Sequence, residues 1–111
     1  MDTASLELCK ELYELSHWTL TEKHWYQGKP IYNSPWGWQC SAYDLGFLLR
    51  KLPRMGAVSV TSIIGAQWEA VYYGNRGDLC YEKRCQADTP EDAACKLVIE
   101  LFQQGILVPS F

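Results

Sequence analysis

The sequence predicts an α+β domain, in which an antiparallel meander of three to four strands packs with three helices in the order α-(β)-α-β-β-β-α. Segments with helical periodicity at 5–16 and 42–52 precede a stretch of strand-like alternation, and a third helical segment at 90–104 follows it. The 111 residues allow one hydrophobic core of useful size. We therefore predict a single domain over 1–111.

The closing helix, 90–104, carries signals at both of its ends. Thr89 is placed to accept a hydrogen bond from the amide of Asp92, and Pro90 occupies the first helical position. Gly105 supplies a left-handed residue after the last turn. Its polar residues form one narrow stripe, so we expect the wide apolar remainder to pack on a sheet.

The two earlier helices are amphipathic. In the helix predicted at 5–16, the charged residues Glu7 to Glu14 form a solvated edge. In the helix predicted at 42–52, leucines recur with helical spacing, Ser41 and Asp44 have the spacing of a capping pair, and Pro53 ends the helix. Gly46 inside that helix indicates close approach of a neighbouring backbone.

Three strands are predicted at 57–64, 66–73 and 79–87, with turn residues at 74–78. On the middle strand Trp68, Ala70 and Tyr72 share the face that we expect to meet the helices. Glu69 belongs to the other face. We expect it to pair with Lys83 or Arg84 on the next strand.

The segment 17–40 lacks a sustained period and contains several glycines and prolines, so it is predicted to be a loop with at most a short strand near 30–33. Aromatic residues are dense in and just after it. Trp and Tyr are common at binding surfaces, and they also fill the cores of small domains. The aromatic residues of this segment therefore either bind a partner or cover the sheet as part of the core. The candidate binding residues are Trp25, Tyr26, Lys29, Tyr32, Trp36, Trp38 and Tyr43.

The amino-acid composition helps to exclude some classes of protein. The net charge of -3 and the scattered basic residues argue against binding to duplex nucleic acid, and the apolar runs are too short to span a membrane. The first residues do not have the pattern of a secretory signal, so we expect a cytoplasmic protein whose five cysteines are mostly free and buried. A secreted disulfide scaffold stays open as an alternative.

Specific chemistry has little support in the sequence. The cysteines and histidines lack the spacing of a zinc site, so no metal or cofactor is expected. Cys40, just before the second helix, is a candidate nucleophile, with burial beneath Trp36 or Trp38 as the simpler interpretation. Glu69 and Glu82 could form a pair of catalytic carboxylates, although nearby Lys83 and Arg84 would screen them.

Two blocks of sequence resemble a known family. The segment from Ser41 to Leu52, followed by a strand with a central Trp68, and the segment from Ala87 to Ala93 that opens the last helix are similar to the phage α-β-α sandwich domain family. The resemblance covers about residues 30 to 107. It implies a protein made in the cytoplasm of a bacterial host, without a characterised enzymatic activity, and it carries over no catalytic or ligand residue.

From these observations we predict a non-enzymatic binding protein of phage or prophage origin, which docks on a host protein, such as a defence component, through its aromatic loop. One alternative is a small-ligand or nucleotide binder with a pocket between that loop and the sheet. Another is a structural subunit that forms homo-oligomers through its exposed sheet face or apolar tail.

Overall fold

A computed structural model describes residues 3–18, 23–26, 28–32, 40–52, 56–63, 67–76 and 79–107. It confirms the α+β class, with three helices and two antiparallel three-stranded sheets in the described residues. The elements in chain order are α1 (Leu6–Ser16), β1 (Lys23–Tyr26), β2 (Lys29–Tyr32), β3 (Cys40–Ala42), α2 (Leu45–Arg50), β4 (Gly56–Ile63), β5 (Gln67–Arg76), β6 (Leu79–Ala87) and α3 (Pro90–Gln103).

The larger sheet is the predicted meander, with strand order β4-β5-β6. Gln67 lies opposite Ile63, and Trp68 lies opposite both Ser62 and Ala87. The connection between β5 and β6 is shorter than predicted, because β5 continues to Arg76 and pairs there with Leu79. The turn predicted over 74–78 therefore contributes its first three residues to a strand.

One face of the larger sheet meets α3, as predicted. Ala70 and Tyr72 are buried on that face, and the half-buried Trp68 packs against the same core. The apolar arc of α3 covers them, since α3 lies along β5 and β6. Its buried residues are Ala93, Ala94, Cys95, Leu97, Val98, Ile99 and Leu101.

Both predicted ends of α3 are present. The Thr89 hydroxyl accepts a hydrogen bond from the amide of Asp92 at 3.1 Å, and Pro90 opens the helix. At the other end Gly105 has a φ of 74°, and the amide of Ile106 donates to the Leu101 carbonyl at 2.9 Å. This is a Schellman ending, which returns the chain onto the last helical turn.

The opposite face of the larger sheet carries a charged cluster. Arg84 contacts Glu69 at 2.9 Å and Glu82 at 2.7 Å, and the Gln86 amide donates to Glu69 at 3.0 Å. The predicted pairing of Glu69 with the neighbouring strand is thus confirmed, with Arg84 as its partner. Arg84 is half exposed, so each ion pair contributes little to stability.

The prediction of a loop over 17–40 is wrong, because this segment supplies the smaller sheet, with strand order β2-β1-β3. Only β2 falls near the short strand predicted at 30–33. Strands of three and four residues are too short for alternation to be visible in the sequence. Pro30 is tolerated because β2 is an edge strand, where a missing N–H need not break a ladder.

The second helix is shorter than the predicted 42–52. Residues 40–42 form β3, and Asp44, rather than Ser41, caps α2 by accepting from the amide of Phe47 at 2.7 Å. Gly46 is exposed, and a Cβ added there would meet only side-chain atoms, at 3.4 Å or more. The close backbone approach that we expected at Gly46 is therefore absent.

Candidate functional site

The aromatic segment is organised by a hairpin. β1 and β2 pair from Lys23 opposite Tyr32 to Tyr26 opposite Lys29, and Gly28 in the connection has a φ of 77°. β3 pairs with the other side of β1 and lies against α1. The tip of this hairpin is where Tyr26 and Lys29 lie opposite one another, and β1 separates β2 from the strand that touches α1.

Trp18 links this sheet to the core. Its side chain is 7% exposed. The Trp18 ring packs edge-on against Phe47, with ring centroids 6.1 Å apart, and its centroid lies 5.1 Å from that of Phe102 on α3. The Lys51 ammonium lies 5.3 Å from the centre of the Trp18 ring. One aromatic side chain thus joins α2, α3 and the start of the aromatic segment.

A buried hydrogen-bond network fixes the backbone around Trp18. The Trp18 carbonyl accepts from the Ser41 hydroxyl at 2.9 Å and from the Tyr43 hydroxyl at 2.8 Å. The Trp18 amide donates to Ser16 at 3.2 Å. Burial raises the pKa of Tyr43 further above neutral pH, so its hydroxyl stays a donor even in moderately alkaline solution. Sequence reasoning missed this network, because its members are far apart along the chain.

Cys40 lies in β3 rather than before a helix, and it is 1% exposed. Burial raises its pKa to about 11, so the thiol is protonated at neutral pH. Cys40 lies opposite Trp25, whereas His24 lies opposite Ser41, so alternation places His24 on the other face of the sheet from Cys40. The geometry therefore favours a structural cysteine over a nucleophile.

Two further thiols are buried, Cys9 on α1 and Cys95 on α3. Cys9 lies within 3.5 Å of the Tyr43 amide, which donates to its sulfur, and the Cys95 thiol donates to the Leu8 carbonyl at 3.7 Å. Burial raises the pKa of both. The four cysteines whose side chains are described, these two with Cys40 and Cys85, are free, as predicted for them.

The seven candidate binding residues separate into groups. Trp25 and Tyr43 are buried, so their side chains are not accessible to a partner. Tyr26 is half-buried and Lys29 is exposed. Because these two lie opposite one another, their side chains share one face at the hairpin tip. Tyr32 ends β2, and Trp36 and Trp38 lie outside the described residues.

The two glutamates that the sequence suggests as a catalytic pair share one basic partner. Glu69 and Glu82 both bind the Arg84 guanidinium, which raises the pKa of Arg84 chiefly through Glu82. Carboxylates held in this way are engaged in the surface network of the larger sheet. Among the described residues, no group of three or more His, Cys, Asp or Glu side chains is arranged to hold a metal ion.

Comparisons with known proteins gave no match to a family model, to a curated protein or to a solved structure. The resemblance to the phage family therefore stays a prediction from the quoted residues. In the part of the chain that the structure describes, no helix is both long enough and apolar enough to cross a membrane.

Proposed function

We propose that this chain is a non-enzymatic binding protein of phage or prophage origin, which docks on a protein of its bacterial host through the β1–β2 hairpin tip and the aromatic residues that follow it. The division of the aromatic segment carries the proposal. Trp18, Trp25 and Tyr43 are buried and anchor the smaller sheet, whereas the half-buried Tyr26 and the exposed Lys29 lie together at the hairpin tip.

This arrangement suits recognition of a protein surface. A tyrosine ring offers a large contact area at a low entropy cost, and the adjacent ammonium adds an ion-pairing group. β1, which carries Tyr26, is hydrogen-bonded to a strand on each of its sides, and Trp25 on it is buried. A preorganised surface loses less entropy on binding. The phage origin rests on the sequence resemblance, and a defence component is one class of host protein that fits it.

The groups considered for catalysis are either buried or engaged in ion pairs, which favours binding over chemistry. The Cys40 thiol is buried with its pKa raised to about 11, and a thiol nucleophile needs the thiolate. Glu69 binds Arg84 and Gln86 at distances of 2.9 and 3.0 Å.

The test is capture of partners from a bacterial lysate by tagged protein. We expect the wild type to retain a specific protein, and a Tyr26→Ala, Lys29→Ala double variant to lose it, because contact area and charge at the tip are both removed. Tyr73→Ala is the matched control, since Tyr73 is a 46% exposed tyrosine on the larger sheet. A Trp36→Ala, Trp38→Ala double variant extends the test beyond the described residues.

Equal capture by all variants, or no specific capture by the wild type, would contradict the proposal. Circular dichroism of each variant shows whether the fold is kept, since Tyr26 is half-buried. Quenching of tryptophan fluorescence by a panel of nucleotides, in place of protein capture, would favour the nucleotide-binding alternative.

A further inference from the structure

The outer edge of the larger sheet at β4 differs from the other strand edges. β4 reads Gly-Ala-Val-Ser-Val-Thr-Ser-Ile over residues 56–63, with no charged residue and no proline. In the described residues it pairs with β5 alone, so its other side has no strand partner. An edge of this length without charge or proline is a template for pairing with another strand.

The other edges carry features that oppose such pairing. β2 contains Lys29 and Pro30, and β3 has only three residues. β6 carries Glu82, Lys83 and Arg84, and the Lys96 ammonium donates to the backbone carbonyl of Gln86 at 3.3 Å. Charges, proline and short length are the usual protections of an edge strand. β4 has none of the three.

The side chains of β4 extend this contrast. Val58 is 37% exposed and is one of two large apolar residues exposed in the described part of the chain. It lies opposite Tyr72 and therefore points to the side of the sheet that α3 covers. Because α3 lies mainly over β5 and β6, the valine at the outer strand is left at the margin of the core.

We propose that β4 pairs antiparallel with β4 of a second copy of this chain and extends the two meanders into one six-stranded sheet. The absence of charge on β4 and its valines favour a second copy as the occupant. Each chain carries a net charge of -3, which opposes self-association, but a strand without charge places no like charges opposite one another. A second copy supplies a strand that is equally free of charge, and its Val58 and Val60 lie on the same face as those of the first copy.

Symmetry limits the possible registers, and the two valines select one of them. A two-fold axis perpendicular to the sheet keeps both α3 helices on one side, so residues on the α3 side must pair with residues on the α3 side. An axis at Ser59 meets this condition and places Val58 opposite Val60 of the partner subunit, twice. The four valines would then close the margin of the core that each single copy leaves exposed.

An edge contact of one strand and two valines per copy falls at the small end of stable interfaces. We therefore expect a dimer that dissociates on dilution, with a dissociation constant of about a micromolar or weaker. Sedimentation velocity of the wild type over about a hundredfold range of concentration should show conversion from monomer to dimer. A wild type that stays monomeric throughout would overturn the proposal.

Charge reversal at the axis tests the strand and the register together. S59K and S59E each place two like charges opposite one another, so each alone should dimerise at least about tenfold more weakly than the wild type. Mixing the S59K and S59E chains should restore association, because a positive charge on one chain then lies opposite a negative charge on the other. Association of either variant alone at wild-type strength, or no recovery in the mixture of folded chains, would overturn it.

Val58→Lys provides a second disruption on the other face of the strand. We expect it to weaken the dimer by at least about tenfold, because a lysine would replace an apolar contact made twice. Gln103→Lys is the control, since Gln103 is exposed on α3 and the substitution adds the same charge. The control should dimerise as the wild type does. Circular dichroism identifies variants that remain folded, and a folded V58K chain with unchanged association would contradict the assignment.

Discussion

The two sheets are stabilised in different ways. The larger has strands of eight, ten and nine residues, and one helix covers one of its faces. The smaller has strands of four, four and three residues, and it depends on a few large side chains and on hydrogen bonds to the backbone of Trp18. Distributed packing tolerates single changes, whereas a sheet held at a few points fails when one of them is lost.

The largest expected effect follows from removing Trp18. Trp18→Ala should lower the free energy of unfolding by about 3 to 5 kcal/mol, because a buried ring between α2 and α3 is replaced by a cavity. Urea denaturation measures the change. Trp68→Ala in the larger sheet is the matched substitution and should cost less, since Trp68 is half-buried. Equal losses would remove the contrast between the two sheets.

High pH should destabilise the region around the smaller sheet. Burial raises the pKa of Cys40 from 9.0 to about 11, so its contribution to stability is complete below pH 9 and is lost as the pH rises towards 11. The raised pKa of Tyr43 acts in the same direction. Urea denaturation from pH 8 to 11 should show falling stability, and Cys40→Ala should make that fall smaller. An identical pH profile in C40A would show that Cys40 does not contribute.

Tyr43→Phe isolates the hydrogen bond to Trp18. Removing the hydroxyl should cost about 1 to 2 kcal/mol, because the bond is buried and measures 2.8 Å. Tyr73→Phe is the control and should change stability by less, since Tyr73 is 46% exposed. Thermal or urea unfolding of both variants provides the comparison. A Y43F protein as stable as Y73F would mean that the network does not hold the smaller sheet.

The smallest effect is expected at the surface of the larger sheet. A double-mutant cycle with Glu69→Gln and Arg84→Gln should give only a small coupling, below the cost of Tyr43→Phe, because the Arg84 side chain is half exposed and solvent screens the pair. Added salt should reduce this coupling. A coupling larger than the cost of Tyr43→Phe would reverse the ranking of the two regions.

The sequence predicts the larger sheet and its helix well, for physical reasons. Long strands repeat their alternation often enough to be recognised, and the cap at Thr89 and the turn at Gly105 depend only on local residues. The alternation along these strands also predicts that Glu69 pairs with a basic residue of the next strand. The extension of β5 to Arg76 was missed, because Gly74 and Asn75 are residues typical of turns.

The smaller sheet was missed because its stability is not local. Ser41 and Tyr43 bind the carbonyl of Trp18, 23 and 25 residues away, and no short-range pattern encodes such contacts. The density of aromatic residues did mark the segment as unusual. It could not separate the buried Trp25 and Tyr43 from the hairpin tip at Tyr26 and Lys29, because that division depends on the register of β1.

Site-specific photo-crosslinking tests whether the hairpin tip is the surface that binds a partner. A photoreactive amino acid is placed either at the exposed position of Lys29 or, as control, at the exposed position of Gln103 on α3. Irradiation in a bacterial lysate should attach a host protein from position 29 and none from position 103. Attachment from position 103 alone, or from neither position, would contradict the claim.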